Sequence, residues 1–397
     1  MPGFLDIGSN KPLLPLHAIQ LGNNLNRRDS RRILVYRLGH LGDTLIALPA
    51  LQAIRKTFPE ASIVLLSNVQ SLADLVSPSQ VIPPGLVDEW LTYESNDVGG
   101  SGIDLARLWV RLRRKRFDTL VYLAPRIRGA RNIRRDLLFF KSAGMRRVIG
   151  ELGFQSLPSR DSEGHLPAVA HEADHLLQRL SLSGIRVPAA GDARIDLALT
   201  EDEHQHADSW LRQHAPGQPA TKSLVGFGPG SKWPSKIWPE ERFVELGQKL
   251  IQARNVFPIV FGGPEDRERG ERLLRAWGRG ANAAGALPVR HAAAALARCE
   301  LYVGNDTGTM HLSAAVGTPC VAIMTALDWP GHWNPYGEGH TVLRRSVPCE
   351  GCLLRVCVKE GMRCLKEIGV AEVLEACVEK LRKQARTSDL ELRIAMS

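Results

Sequence analysis

No run of eighteen or more apolar residues occurs in this chain of 397 residues, so no stretch reads as a membrane-spanning helix. Aromatic residues are scarce, at 6%, while glycine is abundant, at 36, a balance that suits a loop-rich α/β protein. No G-x-x-x-x-G-K-[ST] and no G-x-G-x-x-G spacing is present, which removes the two commonest phosphate-loop signatures. Aromatic-interleaved RNA motifs and zinc-finger spacings are missing too, so a nucleic-acid partner is not expected. Residues 1–30 lack a positive segment leading an apolar one and do not read as a secretory signal. Their polar, Pro- and Asn-containing character predicts a loosely ordered extension. Seven cysteines, an odd number, point to reduced thiols and a cytoplasmic setting.

The net charge is +9, and its distribution is uneven. Between Arg107 and Arg147 stand 14 Lys/Arg against two Asp, so the rest of the chain is slightly acidic. A basic field confined to one region is a footprint for an anionic partner: nucleic acid, an anionic membrane surface or a negatively charged acceptor. Arg107–Arg116 reads equally well as a solvated helix face. Arg126, Arg128, Arg131, Arg134 and Arg135 follow a strand end, where α/β proteins bind ligands, and read as functional.

Strand and helix patterns alternate throughout. Ile33–Tyr36, Ile63–Leu66, Val87–Tyr93 and Thr119–Leu123 are short apolar runs, with helical patterns at Thr44–Thr57 and Ile103–Lys115 between them. Two helical patterns flank a Pro/Gly patch at Val187–Gly191. After a second patch, Ala215–Pro219, the alternation restarts with strands at Ser223–Phe227, Val256–Phe261 and Glu300–Gly304, and helices at Pro239–Ala253 and Val370–Gln384. Such alternation implies parallel βαβ units. Two doubly wound domains follow: 31–200 and 220–369, with a terminal helix and tail at 370–397. A ligand cleft is expected between the carboxyl ends of their strands.

Four turns at strand ends carry the candidate chemistry. Asp306-Thr-Gly-Thr-Met-His311 lies between a strand and a helix, where unpaired N–H groups and the helix dipole favour an anion. It reads equally as a plain helix cap. Gly228–Pro239 offers glycines for close backbone approach and Ser231, Lys232 and Lys236 as donors to a diphosphate. Gly262-Gly-Pro-Glu265-Asp266 places an acidic pair after a strand, where a carboxylate accepts ribose hydroxyls. In the first half, Gly39-His-Leu-Gly42-Asp43 presents Asp43 either as a general base or as a helix cap. No Asp-x-Asp pair exists to hold a metal on a diphosphate. Cys349, Cys352, Cys357 and Cys364, within sixteen residues, suit a structural Zn or Fe site or a set of packed, reduced thiols.

Together these residues resemble glycosyltransferase family 9, the ADP-heptose:lipopolysaccharide heptosyltransferases and their relatives. The matching stretches are Ile33–Leu51, Ser231–Phe243, Phe261–Leu274 and Val303–Pro319. Many relatives also carry the late cysteine cluster. The 30-residue leader and the Arg37-Leu-Gly-His-Leu41 turn depart from the family pattern. The resemblance implies a GT-B architecture, two Rossmann-like domains across a cleft, with an inverting transfer that needs no catalytic metal. It implies Asp43 as catalytic base, Lys236 on phosphate, Asp306, Thr307 and Gly308 in the diphosphate turn, and Glu265 near the ribose; His311 enters through the reading of its turn as a phosphate cradle. Gly42, Arg126, Arg128 and Arg131 would then face an anionic glycolipid acceptor such as lipopolysaccharide core, at the inner-membrane surface. The other readings are a sugar-nucleotide epimerase on the same scaffold and a nonenzymatic nucleic-acid-binding protein.

Overall fold

The computed structural model describes residues 30–69, 80–94, 102–154, 157–215 and 223–395. The expected extension, apart from Ser30, and the patch after Ala215 lie outside these residues. The first half forms a five-stranded sheet from β1 (Arg32–Arg37), β2 (Ser62–Val69), β3 (Glu89–Glu94), β4 (Thr119–Tyr122) and β5 (Arg147–Ile149). Its order is β3-β2-β1-β4-β5 and every pairing is parallel. The helices of this half are α1 (Leu41–Ile46), α2 (Leu48–Thr57), α3 (Gly102–Lys115), α4 (Ala130–Ser142) and α5 (Glu172–Leu182).

The second sheet contains β6 (Leu224–Gly228), β7 (Phe257–Val260), β8 (Ala281–Asn282), β9 (Leu301–Asn305), β10 (Cys320–Ile323) and β11 (Thr341–Leu343). It is also all parallel, in the order β11-β10-β9-β6-β7-β8. Around it lie α6 (Glu201–His214), α7 (Glu240–Arg254), α8 (Arg267–Trp277), α9 (Val289–Leu296), α10 (Gly308–Ala315), α11 (Arg363–Lys366) and α12 (Val370–Ala395). The two sheets are the doubly wound α/β arrangement that the alternating pattern implied, in the two-domain GT-B form that the resemblance implied.

Continuous apolar runs become strands buried on both faces, as parallel sheets require: Ile33, Leu34 and Val35 are wholly buried. Where one helix was expected over Thr44–Thr57, two form. They meet at Ala47, and Pro49 falls in the first turn of α2, where its missing N–H is no loss. The first helix starts at Leu41, so Gly42 and Asp43 belong to it and not to the preceding turn. Residues 201–214 fold as α6, opened by a reciprocal cap: Glu203 N–H donates to Thr200 Oγ1 at 3.3 Å and Thr200 N–H to Glu203 Oε2 at 2.8 Å. α7 stops at Asn255 and α8 at Gly278, both left-handed.

One apolar cluster runs continuously from the α2/α5 face of the first sheet to the α9/α10 face of the second. The opposite face of the second sheet packs on α7 and α12 through Trp238, Phe243, Val373 and Leu381. That of the first sheet packs on α3 and α4. Among the described residues no helix is long and apolar enough to cross a membrane.

Candidate functional site

In each sheet the chain reverses its winding once, between β1 and β4 and between β6 and β9. Ligands of open α/β sheets bind at the carboxyl ends of strands flanking such a switch. The segments that follow β1, β4, β6 and β9 hold Asp43, Arg126, Lys236 and Asp306, so the topology gathers nearly all the sequence candidates at two switch points.

After β1 the chain turns sharply at Gly39, whose φ is +122° and where a Cβ would lie 2.2 Å from Asp43 Cγ. The Gly39 N–H donates to Asn68 Oδ1 at 3.0 Å. The Asp43 carboxylate, 23% exposed, accepts the His40 N–H at 2.8 Å on Oδ2, which closes the first turn of α1. The capping role is therefore real, and Oδ1 stays outside it, 3.5 Å from Arg37.

After β9, Thr307 opens α10 with no side-chain cap, which leaves the first amides of the helix for an external acceptor. The Thr307 and Thr309 hydroxyls stand 2.9 Å apart, and Thr309 meets Tyr302 OH at 2.8 Å. Asp306, 5% exposed at its side chain, pairs with Lys236 Nζ at 2.7 Å. Buried Asn305 ties the two turns together: its Oδ1 accepts the Trp238 N–H at 3.1 Å and its Nδ2 donates to Pro229 C=O at 2.9 Å. Gly228 and Gly230 admit no side chain, since a Cβ would meet Tyr302 OH at 1.7 Å and Asp266 Oδ1 at 1.9 Å.

The two half-sites touch. A Cβ on Gly42 would lie 2.8 Å from His311 Cδ2, and one on Gly308 would lie 2.9 Å from Leu41 Cδ2. α1 and α10 thus meet start to start. Burial pushes the His311 imidazole down to about 4, so it is neutral at pH 7.

Other candidates are placed less directly. Ser231 Oγ accepts the Trp233 N–H at 3.1 Å. Glu265 is exposed, while Asp266 folds back on its own turn, accepting from Gly263 N–H at 3.2 Å and Arg269 at 3.2 Å. Burial, then the Glu265 charge, raises the Asp266 carboxyl above its usual range. Arg126 is buried, and Arg128 is committed to buried Asp136 at 2.6 Å. Arg131 is exposed on the first turn of α4.

Cys349, Cys352, Cys357 and Cys364 line one cavity of about 20 Å³ beside Ser235, under the Lys236 turn. All are free thiols. Among the described residues, only Asp202, His206 and His291 bring three metal-capable atoms within 4.8 Å of one another. Among the described residues no three of these sulfurs lie within 4.8 Å of one another, so they are not gathered as a tetrahedral set.

Residues 105–363 match glycosyltransferase family 9 (heptosyltransferase). The chain belongs to this family. Lipopolysaccharide heptosyltransferase 2 of Salmonella typhimurium is 36% identical over 110 residues, 26% of this chain and 31% of that protein. The chain therefore matches about a third of the length of such curated relatives. A lipopolysaccharide core heptosyltransferase of Haemophilus influenzae is 22% identical over 319 residues, 78% of this chain and 82% of that protein. Among solved structures, a family 9 glycosyltransferase of Veillonella parvula superposes with a TM-score of 0.66 at 23% identity, covering 91% of this chain and 100% of that one. The Escherichia coli ADP-heptose heptosyltransferase II superposes at 0.61 with 21% identity, covering 89% and 99%. These likenesses establish the fold.

The family 9 chain also contains a buried ionic chain that its sequence did not reveal. Glu172, wholly buried, accepts from His332 Nε2 at 3.0 Å and from the Arg126 N–H at 3.2 Å, and faces Arg37 at 3.7 Å. His332 is held on its other side by Asp328 at 2.8 Å. Burial alone would pull the His332 imidazole down. Its bonds to Asp328 and Glu172 outweigh that and hold it at about 9, a cation at neutral pH. Asp328 in turn accepts the Trp333 indole N–H at 2.9 Å. The only sequence sign was His332 itself, in Asp328-Trp-Pro-Gly-His332-Trp, which fits no phosphate or base motif.

Proposed function

We propose that this family 9 glycosyltransferase moves a heptose from ADP-heptose to an anionic glycolipid such as lipopolysaccharide core, by a single inverting displacement without a catalytic metal. Asp43 takes the proton of an acceptor hydroxyl. The acceptor oxygen bonds to the anomeric carbon as the carbon–phosphate oxygen bond breaks, and the electron pair leaves with ADP. Lys236 and the amides around Thr307 and Gly308 hold the growing charge on the diphosphate, with Ser231, Lys232 and His311 assigned to the same group. Glu265 accepts the ribose hydroxyls. Residues 31–200, which carry Gly42, Arg126, Arg128 and Arg131, serve the acceptor, and 220–369 the donor.

The observation that carries this reading is the contact of Gly42 with His311, which sets the Asp43 carboxylate beside the Asp306–His311 turn. Lys236 is now paired with Asp306, so a bound diphosphate would share or displace that partner. Exclusion of water on ligand binding would strengthen Asp43 as a base. The exposed Leu105 and Val110 on α3, set among Arg107, Arg111 and Arg114, support docking on the anionic cytoplasmic face of the inner membrane.

Transfer from ADP-heptose to a lipopolysaccharide-core acceptor, measured for the native chain and Asp43→Asn, tests the proposal. Loss of transfer with donor binding retained is expected. Near-normal transfer by the variant would overturn the assignment of the base. Consumption of donor with no acceptor present would favour an epimerase.

A further inference from the structure

Asp43 is gripped unequally. Its Oδ2 is fixed by the His40 N–H, but only the buried Arg37 guanidinium faces Oδ1. Arg37 is 2% exposed and satisfied on every side: Nε and Nη2 donate to the Asp43 C=O at 3.2 and 3.0 Å, and Nη1 donates to Leu123 C=O at 2.9 Å. A guanidinium so deeply buried requires countercharge. It finds two carboxylates, Asp43 at 3.5 Å and Glu172 at 3.7 Å.

Glu172 is itself anchored from the other half of the molecule by His332, which Asp328 backs. The Glu172 N–H also donates to His332 C=O at 3.1 Å. Charges therefore alternate from α1 through β1 and α5 to the loop after β10: Asp43, Arg37, Glu172, His332, Asp328.

We propose that Arg37 is a positioning residue for the Asp43 carboxylate, anchored across the two halves by Glu172 and His332. The proposal rests on Asp43 as the base. Arg37 holds Oδ1 in one orientation, and Glu172 keeps Arg37 from closing on Asp43 as a tight ion pair. Replacing Arg37 removes a positive charge from beside Asp43; replacing Glu172 removes a negative one. The two changes therefore act on the Asp43 carboxylate with opposite electrostatic sign. The other titratable groups around Asp43 are exposed His40 on its own turn and His311 from α10, with Lys236 and Asp306 beyond.

The test is the pH profile of kcat in the full chain for Arg37→Met, Arg37→Lys and Glu172→Gln, alone and with Asp43→Asn, alongside thermal melting. Arg37→Met is expected to lower kcat at least about tenfold with donor KM nearly unchanged, the mark of an interaction made in the transition state. Its acid limb should move to higher pH and that of Glu172→Gln to lower pH, with Arg37→Lys in between. In the Asp43→Asn background, Arg37→Met should add nothing further. If Arg37→Met does not fold, the isosteric Glu172→Gln and the Lys variant carry the same comparison. Unmoved limbs with activity and melting falling together would overturn the proposal, as would losses that multiply with Asp43→Asn. Full activity of Asp43→Asn alone would instead remove the base assignment on which the proposal stands.

Discussion

Gly42 and His311 stand in van der Waals contact across the two halves, and the space between them has no room for a side chain: a Cβ at Gly42 would lie 2.8 Å from His311 Cδ2. His311 has little freedom to yield, being 4% exposed in the first turns of α10. Gly42→Ala should therefore part α1 from α10, costing about 1–3 kcal/mol of stability as overpacking does. Transfer should fall more steeply than stability, because the separation of the two turns is what changes. Urea unfolding and kcat on the same preparation measure both.

Lys236 and Asp306 form the ion pair at the entrance to α10, with the carboxylate 5% exposed. Removing the ammonium leaves that carboxylate buried without a partner and takes away a charge proposed for the leaving diphosphate. Lys236→Met is expected to lower kcat about 100-fold or more, as loss of a transition-state donor does. On the proposed reading, ADP is expected to raise the melting temperature of the parent chain and to lose that effect in the variant.

Asn305 is a structural tie that ranks with the charged groups. Asn305→Ala strands the Trp238 N–H and the Pro229 C=O, both buried, at about 1–3 kcal/mol for each group left unpaired. Denaturant midpoints should show the loss, and the KM for donor should rise as the Gly228–Lys236 turn loosens.

Histidines make stability depend on pH from both sides. His332 sits at about 9 in the fold against an ordinary value near 6.5, so its contribution is complete below about pH 6.5 and is lost as pH rises through 9. His171, His175 and His311 are pushed down to about 4 by burial. The unfolded chain then binds more protons between about pH 6.5 and 4, and stability falls as pH drops through that window. Urea midpoints should peak near neutrality. His332→Gln should flatten the alkaline side and leave the acid side in place.

Thiol reactivity should separate the cysteines. Burial would raise the Cys357 thiol, but the N–H groups of Met362, Lys359, Glu360 and Gly361 outweigh it and draw the thiol below its ordinary value. Cys299, Cys320 and Cys377 are buried and pushed up. Brief iodoacetamide labelling read by mass spectrometry should mark Cys357 first and spare those three.

Local physics made much of this protein legible from its sequence. Apolar runs such as Ile33–Tyr36 and Leu301–Val303 become strands because a parallel sheet buries both faces, and the glycine turns behind them mark where the backbone must reverse closely. The doubly wound fold, the Asp43 turn and the Asp306–His311 turn follow from patterns a few residues long. The break at Ala47, the start of α1 at Leu41 and the inward fold of Asp266 were not visible, because each depends on which neighbour meets the backbone.

The deepest gap is the ionic chain. Arg37, Glu172, His332 and Asp328 are ordinary charged residues in sequence, far apart and without shared spacing. Only tertiary packing removed them from water, and only that desolvation made each require the next. The sequence by itself determined where the glycine-rich turns at the strand ends lie. The tertiary structure decided that two of those turns meet at Gly42 and His311, and that the carboxylate beside them is steadied from the opposite half.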